Sequence, residues 1–329
     1  MMRERFLSLL EDVYEGELPP AGENFVQWNG RSALTGQEQT NKAFSDKWAV
    51  YDKSPEKERL YRMQREWYLR LYGFRSEEEL RQFLETKKVI FDAGCGLGYK
   101  AAWFAELAPD SLVIGMDFSD AALQASKNYR SLSNLLFIQG DIAQTHFYDN
   151  SIDYVSCDQV IMHTQDPDRT FAELSRVTRR NAGQFACYFY AKKALPRELL
   201  DEHFRARCAT MSAEELWQMS QQLTELGKRL SDLRVNFEAP DIPALGIKGG
   251  HYDLQRFLYW NFIKCFWNAD LGRETSVVTN YDWYSPSNAR RFSEEEVVAL
   301  IKNNGLTLVH FHKEEACYSG RFVRSNAVS

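Results

Sequence analysis

The stretch Val89-Ile-Phe-Asp-Ala-Gly-Cys-Gly-Leu-Gly98 constrains the fold of this chain more than any other. Apolar, strand-forming residues run into an aspartate and three alternating glycines, and an amphipathic helix pattern over residues 99–107 follows. Strand, glycine turn and helix, in that order, bring bare backbone and a helix N-terminus up to a small polar ligand. The glycines permit positive φ and close approach. Their spacing, Gly94-x-Gly96-x-Gly98, differs from the dinucleotide pattern G-x-G-x-x-G, and Asp92 stands ahead of it. An acid at that strand tip suits a ligand carrying positive charge better than a pyrophosphate.

From residue 88 the pattern alternates regularly. Strands are expected at 88–91, 111–116, 135–139, 152–157 and 184–190, with helices at 99–107, 119–129 and 167–179. Short apolar strands separated by helices predict a parallel sheet covered on both faces, an α/β Rossmann-like architecture. Ligands of such sheets bind at the carboxyl ends of the strands. Asp117, ending the second strand, can accept both hydroxyls of a ribose, with Phe118 beside it. Gly140-Asp141 ends the third strand, where Asp141 can accept from an adenine amine and Ile142 can pack on the ring. Asp158 and Gln159 line the other side of the cleft. The expected nucleoside-binding set is therefore Asp92, Ala93, Gly94, Cys95, Gly96, Gly98, Asp117, Phe118, Gly140, Asp141, Ile142, Asp158 and Gln159.

Asp92-Ala-Gly-Cys-Gly-Leu-Gly98 resembles motif I of the class I S-adenosylmethionine (SAM)-dependent methyltransferases. The resemblance extends over residues 89–183, including Ile161-Met-His-Thr-Gln-Asp-Pro-Asp168 and Glu173-Leu-Ser-Arg-Val177, as in small-molecule members. Thr178-Arg-Arg-Asn-Ala-Gly183 replaces the family's Leu-Lys-Pro-Gly-Gly ending. The resemblance implies a doubly wound seven-stranded sheet of order 3-2-1-4-5-7-6 with strand seven antiparallel. It also implies SAM as cofactor and transfer of its sulfonium methyl to a nucleophile. Residues 1–75 and 192–280 lie outside it.

Residues 1–75 are expected to form an N-terminal helical arm on the core. Residues 1–14 make a short helix, 18–40 an extended covering segment, and 55–72 a helix with Leu60, Met63, Trp67 and Leu71 on its apolar side. Ser76-Glu-Glu-Glu79, Ser212-Ala-Glu-Glu215 and Ser293-Glu-Glu-Glu296 read as capping boxes. The SAM-binding core is expected over 76–191, a helical, aromatic-rich cap insert over 192–280, and the end of the core over 281–329. In the insert, Leu216, Met219, Leu223, Leu226, Leu230 and Leu233 form a heptad-like seam that packs along another helix, within the chain or across a homodimer. A helix to Asn304 and a hairpin of 306–311 with 318–323 close the core.

For chemistry, His163 after the fourth strand is the leading candidate base and His251 the second; as plain structural residues they would order a loop. Tyr281, Trp283 and Tyr284, with His163, are expected to bind substrate. The formal charge of −6 and the lack of a basic-aromatic stripe argue against a nucleic-acid partner and for a small organic acceptor methylated at oxygen or nitrogen. An RNA- or protein-modifying enzyme and a non-catalytic SAM-binding subunit pairing through the leucine seam are the alternatives. Six scattered cysteines without Cys-x-x-Cys spacing suggest reduced thiols, no metal site and a cytoplasmic protein. No run is long and apolar enough for a membrane span.

Overall fold

A computed structural model describes residues 4–20, 22–27, 37–51 and 57–324. Its first elements are α1 (Glu4–Glu11), β1 (Phe25–Gln27), α2 (Glu38–Tyr51), α3 (Lys57–Tyr72) and α4 (Glu77–Glu85). Then come β2 (Val89–Ala93), α5 (Tyr99–Leu107), β3 (Leu112–Asp117), α6 (Ala121–Asn128), β4 (Leu135–Gln139), β5 (Tyr154–Cys157), α7 (Pro167–Val177) and β6 (Gln184–Tyr190). The chain continues with α8 (Leu195–Cys208), α9 (Ala213–Asp232), β7 (Asn236–Ala239), β8 (Gly250–Asp253), α10 (Leu254–Asn261) and α11 (Gly272–Tyr284). It closes with α12 (Glu294–Asn303), β9 (Leu306–Lys313) and β10 (Cys317–Arg324). Two compact units result: one from Met1–Thr35, Tyr61–Tyr190 and Arg290–Ser329, the other from Gly36–Leu60 and Ala191–Ala289. The second unit thus takes in α2 from the expected arm. Residues 28–36 of the expected covering segment, and residues 55 and 56 of the expected third helix, lie outside the described residues.

The first unit is built on one sheet of order β1-β4-β3-β2-β5-β6-β10-β9. Seven of these strands follow the expected 3-2-1-4-5-7-6 order, and β10 is the antiparallel one, paired with β6 and β9. An eighth strand, β1, runs parallel to β4 with Phe25 opposite Phe137. Three residues are too few to show alternation, so this strand is silent in the sequence. β2 lies centrally between β3 and β5 and is buried along its whole length. Asp153 fixes the lower end of β2: its carboxylate accepts from the N–H groups of Lys88 and Val89 at 2.8 and 3.0 Å and pairs with Arg179 at 2.8 Å. With one end pinned, the other end of β2 is delivered to the glycine turn in register with its neighbours.

The caps form with one change. Ser212 and Ser293 make the reciprocal boxes with Glu215 and Glu296. Ser76 accepts from Glu79 N, but the Glu79 carboxylate turns to the Arg75 N–H and guanidinium instead of the Ser76 N–H. On α3 the buried side is also rotated from the expected one: Tyr61, Tyr68, Leu71 and Tyr72 are buried, while Met63 and Trp67 are half-buried.

In the second unit the leucine seam is, beyond Leu216, not the face of α9 packed within the chain. Leu226 and Leu233 are 41% and 60% exposed, and the buried positions are Leu216, Ser220, Thr224 and Gly227. Small residues are needed there, because a Cβ on Gly227 would stand 2.3 Å from the carbonyl oxygen of Cys265. Asn280 of α11 spans the contact, donating to Thr224 Oγ1 at 2.8 Å and to the Phe266 carbonyl at 3.0 Å. All six cysteines are buried and none is in a disulfide. Among the described residues no helix is long and apolar enough to cross a membrane, and no cluster of three metal-ligating side chains occurs.

Candidate functional site

The turn after β2 has the conformation that its glycines predict. Gly94 and Gly98 sit at φ +79° and +78°, and a Cβ on either would strike Val160 or Phe137 within 2.6 Å. The loop is stitched to β3 by the N–H groups of Gly94 and Cys95, both donating to the Met116 carbonyl. No side chain caps the N-terminus of α5, which begins directly after Gly98. Its first N–H groups and the positive end of its dipole are therefore available to an anionic group.

Asp117, at the tip of β3, is turned inward. Its carboxylate accepts from Gly96 N at 2.8 Å, Ser119 N at 2.9 Å and Ser119 Oγ at 2.6 Å. It therefore holds the glycine loop in shape. At the tip of β4, Asp141 closes its own turn by accepting from Ala143 N at 2.8 Å, and burial pushes its carboxyl above the ordinary value. Glu173 explains part of the second motif. It accepts from Thr145 N and Oγ1 and from Arg176, so the helix after β5 clamps the loop that carries Asp141 and Ile142. Although burial works against it, the Glu173 carboxyl is held below its usual range by Arg176 and Thr145.

Behind the glycine turn lies a buried charge cluster. Asp92, Lys100 and Asp158 are almost fully enclosed. The Lys100 ammonium stands 3.1 Å from Asp92 Oδ1 and 3.4 Å from Asp158 Oδ2. Asp158 also accepts from Tyr72 Oη at 2.8 Å, and Gln159 reaches back to it at 3.3 Å from a left-handed backbone of φ +63°. Tyr68 shares hydrogen bonds with Tyr154 and Ser156 below. Asp92 is treated differently from Asp158. Its polar contact among the described residues is the Lys100 ammonium at 3.1 Å from Oδ1, and Oδ2 accepts no hydrogen bond there. Burial, opposed in part by Lys100, pushes the Asp92 carboxyl up to about 6. Burial alone would lower Lys100, but Asp92 and Asp158 hold it above its ordinary value.

Two carboxylates against one ammonium leave this cluster net negative, with Asp117 adding to it. A buried carboxylate oxygen left without a donor carries a desolvation penalty of about 1–3 kcal/mol, which a cationic ligand group would relieve. The residues present thus fit a positively charged sulfur nucleoside: acids at the tips of β2, β3, β4 and β5, adjacent along one sheet edge, and an uncapped helix start beside them.

The expected residues divide between the units. Asp92, Ala93, Gly94, Cys95, Gly96, Gly98, Asp117, Phe118, Gly140, Asp141, Ile142, Asp158, Gln159 and His163 belong to the first unit. His163 ends a short 3-10 turn, is buried, and meets the Tyr190 ring edge-on at 5.5 Å. His251, Tyr281, Trp283 and Tyr284 belong to the second unit. His251 lies on the exposed β7–β8 hairpin with Nδ1 2.9 Å from Glu238. Tyr281 stacks on Trp217 at 4.0 Å as core packing. Lys100, Tyr68 and Tyr72 went unread in the sequence. A lysine in the first turn of an otherwise apolar helix, where the dipole disfavours it, was the available signal.

Comparison with known proteins agrees with this geometry. Residues 84–254, more than half of the chain, match the methyltransferase domain family. An uncharacterized methyltransferase of Schizosaccharomyces pombe is 34% identical over 115 residues, covering 32% of this chain and 41% of that protein. Malonyl-[acyl-carrier protein] O-methyltransferase of Legionella pneumophila is 30% identical over 149 residues, 45% of this chain and 49% of that one. The chain thus spans less than half the length of these relatives in its matches. Among solved structures, magnesium protoporphyrin IX methyltransferase from Synechocystis aligns at TM-score 0.46 and 14% identity, over 89% of this chain and 99% of that one. With its glycine turn, its strand order and the match of residues 84–254 to the family together, the chain belongs to the methyltransferase domain family and is of the class I, SAM-dependent kind.

Proposed function

We propose that this protein transfers a methyl group from SAM to an oxygen or nitrogen of a small organic acceptor. The observation that carries the reading is Asp92: a fully buried carboxylate at the tip of the central strand, with Oδ2 unmatched by a hydrogen-bond donor among the described residues and an uncapped helix start beside it. When bound, SAM supplies a methyl already activated by positive sulfur. Asp92 and Asp158 then favour the cofactor's cationic end, and the start of α5 its carboxylate. Asp117 takes the ribose hydroxyls and the Asp141–Ile142 turn the adenine. With activation built into the cofactor, the chain's remaining task is to align acceptor and methyl at about 3–3.5 Å and exclude water. His163, in the loop after β5, takes the proton that an oxygen acceptor releases.

The test has two parts. Isothermal titration with S-adenosylhomocysteine should give saturable binding that weakens about tenfold or more in Asp92→Asn; unchanged affinity would remove the buried acid from the site. With methyl-labelled SAM and a panel of small-molecule acceptors, His163→Ala should lower turnover about 100-fold while cofactor affinity stays near wild type. Full activity in that variant would end its assignment as the base. Labelling of RNA or protein alone would overturn the acceptor class.

A further inference from the structure

The second unit contains a buried group that methyl transfer does not use. Lys264 is 7% exposed, and its ammonium lies 4.3 Å from the centre of the Trp283 indole. The guanidiniums of Arg205 and Arg197 face the same ring at 5.0 and 5.2 Å. Three cationic side chains therefore converge on one indole inside a single compact unit. The acids near them are engaged elsewhere. Asp201 accepts from Arg197 Nε at 2.8 Å and from Tyr284 Oη at 3.1 Å, and Asp282 is bound by Lys47 at 2.9 Å. Arg197 also donates to the Tyr259 carbonyl, and Arg205 to that of Pro286. Among the described residues the Lys264 ammonium has neither a hydrogen bond nor an ion pair; its contacts are the rings of Trp283, Tyr259 and Phe266.

Aromatic faces attract a cation but do not satisfy its three donors. Burying an ammonium with no acceptor is costly unless something supplies one. We propose that Lys264, with Arg197 and Arg205 around the Trp283 indole, forms a binding site for an oxyanion on a small molecule, a carboxylate or a phosphate. The rings of Tyr259, Phe266 and Trp283 would cover an apolar body attached to that group, so the fitting ligand is an aromatic or otherwise apolar acid. The site stands on the second unit alone and does not rest on the methyl-transfer reading. Burial first, then Arg197, pushes Lys264 down to about 7, with Asp201 and Asp282 acting in the opposite direction and Arg205 with Arg197. An arriving anion favours the charged ammonium, so its binding takes up a proton near neutral pH.

Benzoate and phenyl phosphate, titrated calorimetrically into the full chain at pH 6.5, distinguish the two sources of the oxyanion. At least one should bind with a dissociation constant of about 1 mM or tighter. Binding should weaken about tenfold in Lys264→Met and return in Lys264→Arg. It should also weaken as pH rises through 7 in wild type but not in the arginine variant. Lys264→Met removes a buried charge and keeps the stem's volume, so it should fold, which circular dichroism checks. Binding of neither probe at that level, or equal binding to the methionine variant, would overturn the proposal.

Discussion

Each unit buries a lysine, and the two lysines are in opposite electrostatic situations. Lys100 stands between Asp92 and Asp158 at contact distance and is held above its ordinary value. Lys264 is as deeply buried, but the acids nearest it are held by Arg197 and Lys47, and burial pushes it down to about 7. Burial is thus the common cause, and the availability of carboxylates decides the direction. In the first unit the surplus is negative, which suits a cationic sulfur nucleoside. In the second the unmatched group is a cation, which suits an acid.

The largest effect should come from removing Lys100. Lys100→Met strands two buried carboxylates, so stability in urea unfolding should fall by about 3–5 kcal/mol at pH 7. Lys264→Met should act in the other direction, raising stability by roughly 1–4 kcal/mol at pH 6. Its lowered native pKa means the unfolded chain binds more protons between pH 7 and 10.5, so wild-type stability rises across that window and the variant's advantage shrinks. Two losses of equal size would erase the contrast between the lysines.

Asp117→Ala sharpens the description of the acid-rich unit. It removes the acceptor of Gly96 N and of Ser119, and cofactor affinity in titration calorimetry should drop more than about tenfold. The smallest effect is a pH dependence. The Asp92 carboxyl, raised from 3.8 to about 6, keeps its proton in the empty fold only below about pH 6, so its contribution to stability falls as pH rises from 3.8 to 6. A cationic ligand needs the ionised form, and cofactor affinity should increase several-fold as pH rises from about 5 to 7. A flat profile in wild type, or the same rise in Asp92→Asn, would place the titrating group elsewhere.

What was legible in the sequence was local. A strand followed at once by Asp92 and three spaced glycines predicts the turn and the helix start that the fold adopts, because both are written in neighbouring residues. The acids at the tips of β3, β4 and β5 follow from the same alternation. Partners chosen by tertiary packing were not visible. Tyr68 and Tyr72 are buried over Lys100 because the sheet meets α3 on that side, not on the Trp67 side. On α9 the leucines looked like the seam, yet within the chain Ser220, Thr224 and Gly227 are buried, Gly227 under the close Cys265 carbonyl. Leucine spacing reports what a helix could bury, and only its neighbour determines what it does bury. The exposure of His251 was not visible either: glycines before it and aromatics after it do not determine burial.

The antiparallel strand β10 has a consequence for how this molecule is made. It sits between β6 and β9, so residues 184–190 and 306–313 touch as sheet neighbours only through a strand synthesised after both. On the ribosome, β6 therefore waits with an open edge while residues 191–316 are translated, and β9 emerges with no strand to join. Until residues 317–324 arrive to fill that slot, the nascent chain presents two unpaired edges, the kind of surface that chaperones capture and that misassembly exploits.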